Sequence, residues 1–166
     1  MAGKSPGQFA LAMSIMAKSL GEASNAVGAE ACFAAGEYLV RNTPIDTGKA
    51  KSNWQASRVR PRRKSREAYY PGGLAAGEAK ASTEGPNMAA AIAQIRNECE
   101  SRRKNQRMYL TNNLDYIEKL DAQGGNRGTS QFMRAATQRA AEVLKDSQLF
   151  RKALSGKAGV FKMENF

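Results

Sequence analysis

The first part of the chain carries a repeating apolar pattern. From about Pro6 to Val40, apolar residues recur at alternating steps of three and four, which is the spacing of one helix face. Glycines at positions 21, 28 and 36 interrupt the pattern, and each costs about 1 kcal/mol relative to alanine inside a helix. We predict one long helix, either broken near Gly21 or approached closely by another backbone at its glycines. Its stripe, expected to lie in the core, in an oligomer contact or in both, comprises Phe9, Met13, Met16, Leu20, Ala23, Val27, Ala31, Ala34 and Tyr38.

A proline marks the end of this helix, within the sequence RNTPIDTGKAKSNWQ. Pro44 disfavours the helical conformation at Thr43, so the helix should stop there. Asp46 offers a side-chain acceptor and Gly48 a permissive backbone, which together favour a sharp reversal. Trp54, the only tryptophan, is then expected to anchor the reversed chain against the helix.

A weakly alternating stretch from Ser52 to Val59 predicts the first strand, with Trp54 and Ala56 on one face. A long loop should follow, over residues 58–86, because no period persists there. Its cations could simply be a solvated charge run, but their density favours a surface that faces a polyanion. These cations are Arg58, Arg60, Arg62, Arg63, Lys64 and Arg66.

The second half of the chain predicts two further helices and another strand. The first helix is expected from Pro86 to Arg103, where its closing SRRK turn would complement the helix dipole without any nucleic acid. A short strand should follow from Arg107 to Asn112, and then a turn or short helix and the loop QGGNRGTSQ. Thr129 or Ser130 should cap the last helix, ending before Gly156. Its expected core residues are Phe132, Ala135, Ala136, Val143 and Leu144.

These elements predict an α+β fold, in which a long N-terminal helix and two further helices pack on a small antiparallel sheet. We expect a single domain over residues 1–150 and a C-terminal tail over 151–166, with apolar Val160, Phe161 and Phe166. No apolar run reaches the roughly 20 residues that span a bilayer. The short apolar run near the N-terminus is interrupted by Ser14 and Lys18, so it does not indicate a secretory signal. The expected location is therefore the cytoplasm, and no membrane contact is expected.

Charge adds the strongest compositional constraint. A net charge of +11 over 166 residues implies a polyanionic neighbour, which could be nucleic acid, an acidic protein ring or an anionic membrane. Charge alone does not choose among them.

Few residues could carry out catalysis. The chain has no histidine, which removes most nucleophilic and acid–base arrangements and makes a zinc site with Cys32 and Cys99 very unfavourable. Cys32 is best interpreted as a free thiol acting as a small hydrophobe rather than as half of a disulfide. The glycine clusters do not form a phosphate-binding loop. Asp115 and Glu118 could share a helical face, but such pairs are far more often surface residues. We expect that the protein is not an enzyme and binds no cofactor.

Two blocks of the sequence together resemble a known family. The first contains Thr43, Pro44, Asp46, Thr47 and Gly48, and the second lies within YLTNNLDYIEKLDAQGGNRGTSQFMRAA. In order and spacing, the chain resembles the tail-completion and neck proteins of tailed bacteriophages, the group that includes minor tail protein Z-like sequences. The resemblance covers roughly residues 35–140 and departs from the pattern at Ala50 and at Asp121-Ala122-Gln123. Its matching positions in the second block are Leu110, Thr111, Asn112, Asn113, Tyr116, Glu118, Leu120, Gly124 and Phe132.

The resemblance implies a structural virion protein that forms a ring, expected to hold six copies, at the head–tail interface. Its partners would be the head connector or adaptor and the tail proteins, with phage DNA in the channel as a further contact, after assembly in the host cytoplasm. The family residues would be structural: Asp46 and Asn112 would tie turns to backbone groups, and Tyr116 would pack against the sheet. The alternative is a small basic nucleic-acid-binding module outside a virion, with Tyr69 and Tyr70 as stacking groups.

Overall fold

The structure is a computed structural model that describes residues 6–44, 48–70, 79–123 and 131–155. Six helices and two short strands lie in these residues, so the predicted α+β class is confirmed, with more helices than the three expected. The strands pair antiparallel, with Gln55 opposite Thr111 and Ser57 opposite Tyr109. In chain order the elements are α1 (Pro6–Asn42), α2 (Lys49–Ser52), β1 (Gln55–Ser57), α3 (Ala79–Glu100), β2 (Tyr109–Thr111), α4 (Ile117–Gln123), α5 (Phe132–Lys145) and α6 (Ser147–Ser155).

Helix α1 is continuous over 37 residues, so the predicted break near Gly21 is absent. The glycines instead leave room for side chains from the other side of the core. A methyl group at Gly36 would lie 2.7 Å from Cγ2 of Ile95, and one at Gly28 would lie 2.7 Å from a guanidinium nitrogen of Arg102. The cost of glycine in the helix is therefore offset by close packing of α3 and of the segment after it.

In the predicted α1 stripe, the buried residues begin at Ala23. Ala23, Val27 and Ala31 are at most 8% exposed, whereas Met13 and Met16 are 51% and 53% exposed. The periodicity correctly predicted a helix but could not reveal where along its length the rest of the chain packs.

The predicted end of α1 before Pro44 and the anchoring role of Trp54 are confirmed. The Thr43 hydroxyl donates to the Leu39 carbonyl at 2.6 Å, and Trp54 Nε1 donates to Thr43 Oγ1 at 2.7 Å. The Trp54 ring meets Phe132 edge-to-face, with ring centroids 6.4 Å apart. Gly48 has φ +75°, and a methyl group there would lie 2.6 Å from Asn87 Nδ2, so both backbone and space require glycine.

The chain reverses through a helical turn rather than directly into a strand. Residues 49–52 form α2, so the predicted strand from Ser52 to Val59 is reduced to Gln55–Ser57. Trp54, which precedes β1, and Ala56, within it, are 4% and 0% exposed. The Asn112 amide donates to the Ala50 carbonyl at 2.9 Å and fixes this turn to the end of β2, as predicted for Asn112.

Helix α3 begins seven residues before the predicted start and holds Pro86 in its interior. Proline provides no amide donor, but the neighbouring Asn87 side chain donates to the Thr83 carbonyl at 2.9 Å and adds a bond within this turn. The helix ends at Glu100, so the SRRK residues follow it and do not form its last turn. The predicted end of this helix at Arg103 is therefore wrong by three residues, and the role of these cations toward the helix dipole stays a prediction.

The predicted last helix is two helices. Asp146 has an extended backbone with ψ 99°, and its carboxylate accepts the amide of Gln148 at 2.8 Å, which begins α6. Leu144, predicted to face the core, is 60% exposed in the last turn of α5. Residues 151–155 belong to α6 rather than to a tail, and Val160, Phe161 and Phe166 lie outside the described residues.

The N-terminus of α5 is held by α4. Asp121 Oδ1 accepts the Met133 amide at 2.8 Å, and the Asp121 carbonyl accepts the Gln131 amide at 2.7 Å. Asp121 thus satisfies amides at the start of α5 from a distant position in sequence. The predicted caps, Thr129 and Ser130, lie outside the described residues. No helix in the described part of the chain combines the length and the hydrophobicity needed to cross a membrane.

Candidate functional site

The basic segment leaves the end of β1 next to α3. Arg58, the first of its cations, pairs with Glu98 at 2.8 Å, and its Nη1 donates to the Ser101 carbonyl at 2.6 Å. Arg58 therefore joins the strand to the end of α3, and most of its hydrogen-bonding capacity is used within the fold. Its predicted role as a partner-facing cation is not supported by this geometry.

The next four cations have a different environment. Arg60, Arg62, Arg63 and Lys64 are exposed, together with Val59 at 81%. Within the described ranges, no carboxylate forms an ion pair with any of them. Four adjacent cations without an internal counter-charge produce a strong local positive potential.

The Asn53 side chain fixes the C-terminal end of this segment, where the chain returns to the fold at Arg66. Its side chain accepts the Arg66 amide at 2.7 Å and donates to the Arg66 carbonyl at 2.7 Å, which imitates the pairing of two strands. The Gln55 side chain also donates to the Lys64 carbonyl at 3.2 Å, and Lys49 pairs with Glu67 at 2.8 Å. The exposed cations are thus carried on a loop whose two ends are both fixed.

Asn87 fixes the next part of the loop, at Tyr70. Its Oδ1 accepts the Tyr70 amide at 2.9 Å and the Ser52 hydroxyl at 3.0 Å, and its Nδ2 donates to the Tyr70 carbonyl at 2.8 Å. Asn87 and Asn53 are both completely buried. Two buried asparagines therefore attach residues 66–70 to α2 and α3, and such fully bonded polar groups favour one conformation of the loop.

The two tyrosines proposed as stacking groups are not equivalent. The Arg66 guanidinium lies 3.7 Å from the Tyr69 ring centroid and also donates to the Tyr69 hydroxyl. Burial raises the pKa of Tyr69, against the opposing effect of Arg66. Arg66 and Tyr69 therefore satisfy each other, and the exposed ring is that of Tyr70, at 52%.

A second basic segment precedes β2, close to the point where the first segment leaves β1. Because Ser57 pairs with Tyr109, the residues after β1 run alongside those before β2, and the Arg58–Ser101 bond fixes the end of α3 there too. Arg103 and Arg107 are exposed in this segment and have no carboxylate partner among the described residues, whereas the Lys104 side chain packs over Gly21. We define the basic surface as Arg60, Arg62, Arg63, Lys64, Arg103 and Arg107.

The remaining family-motif residues have structural surroundings or surface positions. Thr43 and Trp54 are buried at the joint, and Pro44 follows α1 in a half-buried position. Asp46 and Thr47 lie outside the described residues. Tyr116, which was expected to pack against the sheet, is at the surface with 37% exposure because it lies in the turn before α4. Glu118 and Asp115 are also exposed, in and just before α4.

Sequence reasoning missed the buried polar residues that organise the site. Lys51 is 3% exposed and its ammonium contacts Glu84 at 3.1 Å and the Arg41 carbonyl at 3.2 Å, so it links α1, α2 and α3. Asn53 was likewise not singled out, and Asn87 was considered only as a candidate cap of the helix that starts near Pro86. A cluster of polar residues beside a strand resembles a loop in sequence, and only their tertiary partners distinguish the two.

Replacing Asn53 with alanine is expected to destabilise the protein by about 2 kcal/mol, because the buried backbone groups of Arg66 would lose their partner. Limited trypsin digestion should then cut faster within Arg60–Lys64. The matched control is Asn97→Ala, at an exposed α3 position, which should leave the rate unchanged. Equal cleavage rates in wild type and Asn53→Ala would contradict the role assigned to Asn53.

The described residues contain no group of three or more cysteine, aspartate or glutamate side chains placed to hold a metal ion. Comparison with protein-family models, with curated proteins and with solved structures found no match for the chain.

Proposed function

We propose that this protein is a structural protein of a tailed-bacteriophage virion that joins head to tail and contacts DNA phosphates through its basic surface. The observation that carries the DNA contact is that two exposed basic segments, one after β1 and one before β2, hold six cations with no carboxylate partner among the described residues. The sequence resemblance to tail-completion and neck proteins supports the place in the virion.

The chemistry of the basic surface favours contact with a phosphate backbone rather than base recognition. Guanidinium groups match phosphate oxygens and attract them at long range, and neutralised phosphates release condensed counterions. Arg58 and Arg66, in contrast, are engaged within the fold and act as the supports of the loop. Such a surface would hold DNA of any sequence, as a connector through which a whole genome passes requires.

The exposed half of α1 supports assembly into a ring. Met13, Met16 and Leu20 lie on one face and are each at least 40% exposed. Large apolar side chains grouped on one face are typical of protein contact sites. We propose that this face contributes to contacts between subunits, and that the ring holds six copies.

Fluorescence anisotropy with two duplexes of unrelated sequence tests the DNA contact. We expect weak binding that is equal for both duplexes and falls with salt, with a slope of log affinity against log salt near −5 if all six cations engage. The same slope should appear for both duplexes, because phosphate contacts carry no sequence information.

Saturation at sub-micromolar protein in physiological salt would instead favour a nucleic-acid-binding module outside a virion. Absence of binding even at about 10 mM salt, where screening is weak, would contradict the DNA contact. Analytical ultracentrifugation of the same preparation would report whether the chain forms rings on its own.

A further inference from the structure

The two edges of the small sheet are covered differently. On the β1 side, the Gln94 side chain of α3 bonds the backbone of Ala56. Its Oε1 accepts the Ala56 amide at 3.0 Å, and its Nε2 donates to the Ala56 carbonyl at 3.0 Å. The side-chain amide thus takes the place of a residue in a third strand, and the buried backbone groups at this edge are satisfied within the fold.

This contact fixes the direction of the backbone groups in both strands. Leu110 lies directly opposite Ala56 in the antiparallel register. Two opposite residues in such a pair either exchange both of their backbone hydrogen bonds with each other or direct both away from each other. Because the Ala56 groups are directed to α3, the Leu110 amide and carbonyl are directed away from β1, to the outer edge of β2.

The outer edge of β2 is open in the described part of the chain. There, β1 is the one strand that pairs with β2, and no hydrogen bond joins the Leu110 amide or carbonyl to another group. Apart from β1, no described element packs closely against β2. A strand edge with an unpaired amide and carbonyl is a template on which an extended segment of another chain can form hydrogen bonds.

The flanks of β2 add unused hydrogen-bond donors to this edge. Arg107, shortly before β2, is exposed and has no carboxylate partner among the described residues. Asn113, shortly after β2, has a buried Nδ2 with no acceptor in the same part of the chain. Buried donors in folded proteins are nearly always satisfied, so Asn113 is an independent sign that an acceptor belongs at this end of β2.

We propose that the outer edge of β2 binds an extended acidic segment of another protein as a third, antiparallel strand. The residue opposite Leu110 exchanges two backbone hydrogen bonds with it, and a carboxylate of the segment meets Arg107. The inference does not rest on the proposed function, because the backbone of β2 rather than the basic surface supplies the central hydrogen bonds.

The side chains of β2 indicate which residues the segment carries. Leu110 and Met108 pack, partly buried, against the hydrophobic core. The segment residues opposite these two have side chains on the same face of the sheet, so apolar residues fit there. Polar residues suit the alternate positions on the other face, and acidic residues suit the end next to Arg107.

The charge of the protein favours an acidic partner over a second copy of this chain. The net charge is +11, so pairing two β2 edges would bring two strongly positive proteins together. An acidic segment is attracted by the same potential. The proposal therefore commits to a segment of a different, acidic protein.

Titration of the nitrogen-15-labelled full chain with a synthetic peptide tests this proposal by nuclear magnetic resonance. The peptide alternates valine with threonine, ends in an aspartate and a glutamate, and has blocked termini. We expect the largest shift changes in β2. With about nine-tenths of the protein bound, the Leu110 amide should exchange with solvent about tenfold more slowly, because the bound amide is protected.

Two altered peptides separate backbone pairing from charge attraction. N-methylation of the central valine removes the donor that faces β2, so this peptide should lose the protection of Leu110. Replacing the two acidic residues with asparagine and glutamine should weaken binding about threefold, as for an exposed ion pair. Arg107→Gln should abolish this threefold difference, whereas the matched control Arg134→Gln, at an exposed position of α5, should keep it.

Three results would overturn the proposal. The first is equal binding of the N-methylated peptide, and the second is the absence of any change at Leu110 with peptide at millimolar concentration. The third is a dimer of the free protein in analytical ultracentrifugation with a Leu110 amide that is already protected, which would assign the edge to a second copy.

Discussion

Replacing Arg60, Arg62, Arg63 and Lys64 together with glutamine is expected to lower affinity for duplex DNA about 1,000-fold near 0.1 M salt. Each cation that neutralises a phosphate contributes about 0.9 to the salt slope, so the slope should decrease in size by 3 to 4. Stability should change by less than about 0.5 kcal/mol, because these side chains are exposed and form no ion pair with the described residues. Fluorescence anisotropy over a salt series measures both quantities.

The matched control removes the same amount of charge elsewhere. Lys18, Lys119, Arg134 and Lys145 are exposed on α1, α4 and α5. Replacing these four with glutamine lowers the net charge equally and should reduce affinity by less than tenfold, since only the long-range potential changes. Equal losses in the two variants would show that total charge, rather than the basic surface, determines binding.

Replacing Trp54 with alanine is expected to destabilise the fold by about 3–5 kcal/mol, as for a large aromatic residue in a core. Trp54 is 4% exposed, its ring packs edge-to-face with that of Phe132, and its indole nitrogen donates to the Thr43 hydroxyl oxygen just after α1. Alanine would leave a cavity and remove the only donor recorded for the Thr43 hydroxyl oxygen among the described residues. Urea denaturation followed by circular dichroism measures the change.

Two further variants serve as comparisons, one at Trp54 itself and one at an exposed position of α5. Trp54→Phe keeps a ring but not the indole donor, so it should cost less than Trp54→Ala. Leu144→Ala removes a large apolar side chain that the structure places at 60% exposure, and it should cost less than about 1 kcal/mol. A similar loss for Leu144→Ala and Trp54→Ala would contradict the packing described for these residues.

The parts of the fold that depend on local chemistry could be predicted from the sequence. Pro44 and Gly48 specify the end of α1 and the reversal through backbone constraints that act within a few residues, and Trp54 follows close behind. The apolar repeat of α1 likewise identifies a helix. It could not show that Met13 and Met16 lie beyond the packed region, because periodicity does not depend on what covers a face.

The organisation of the candidate site depends on distant partners and was therefore not predictable. The exposed cations of residues 60–64 are visible in sequence, but Asn53 and Asn87 acquire their roles only when residues 66–70 pack against them. Arg103 was attributed to a helix end that the structure places three residues earlier. The bond from Arg58 to the Ser101 carbonyl, which spans 43 positions in sequence, brings this end of α3 to the start of the first basic segment.

The proposed place in the virion is tested most directly by electron microscopy of lysates from the phage that, under this proposal, encodes the chain, with a stop codon early in this gene. A plasmid copy of the wild-type gene provides the control, and the four-glutamine variant tests the basic surface in the same assay. We predict separate heads and tails, or heads that leak DNA, which the wild-type copy restores to complete particles. Normal infectious particles without the protein would contradict the proposed function.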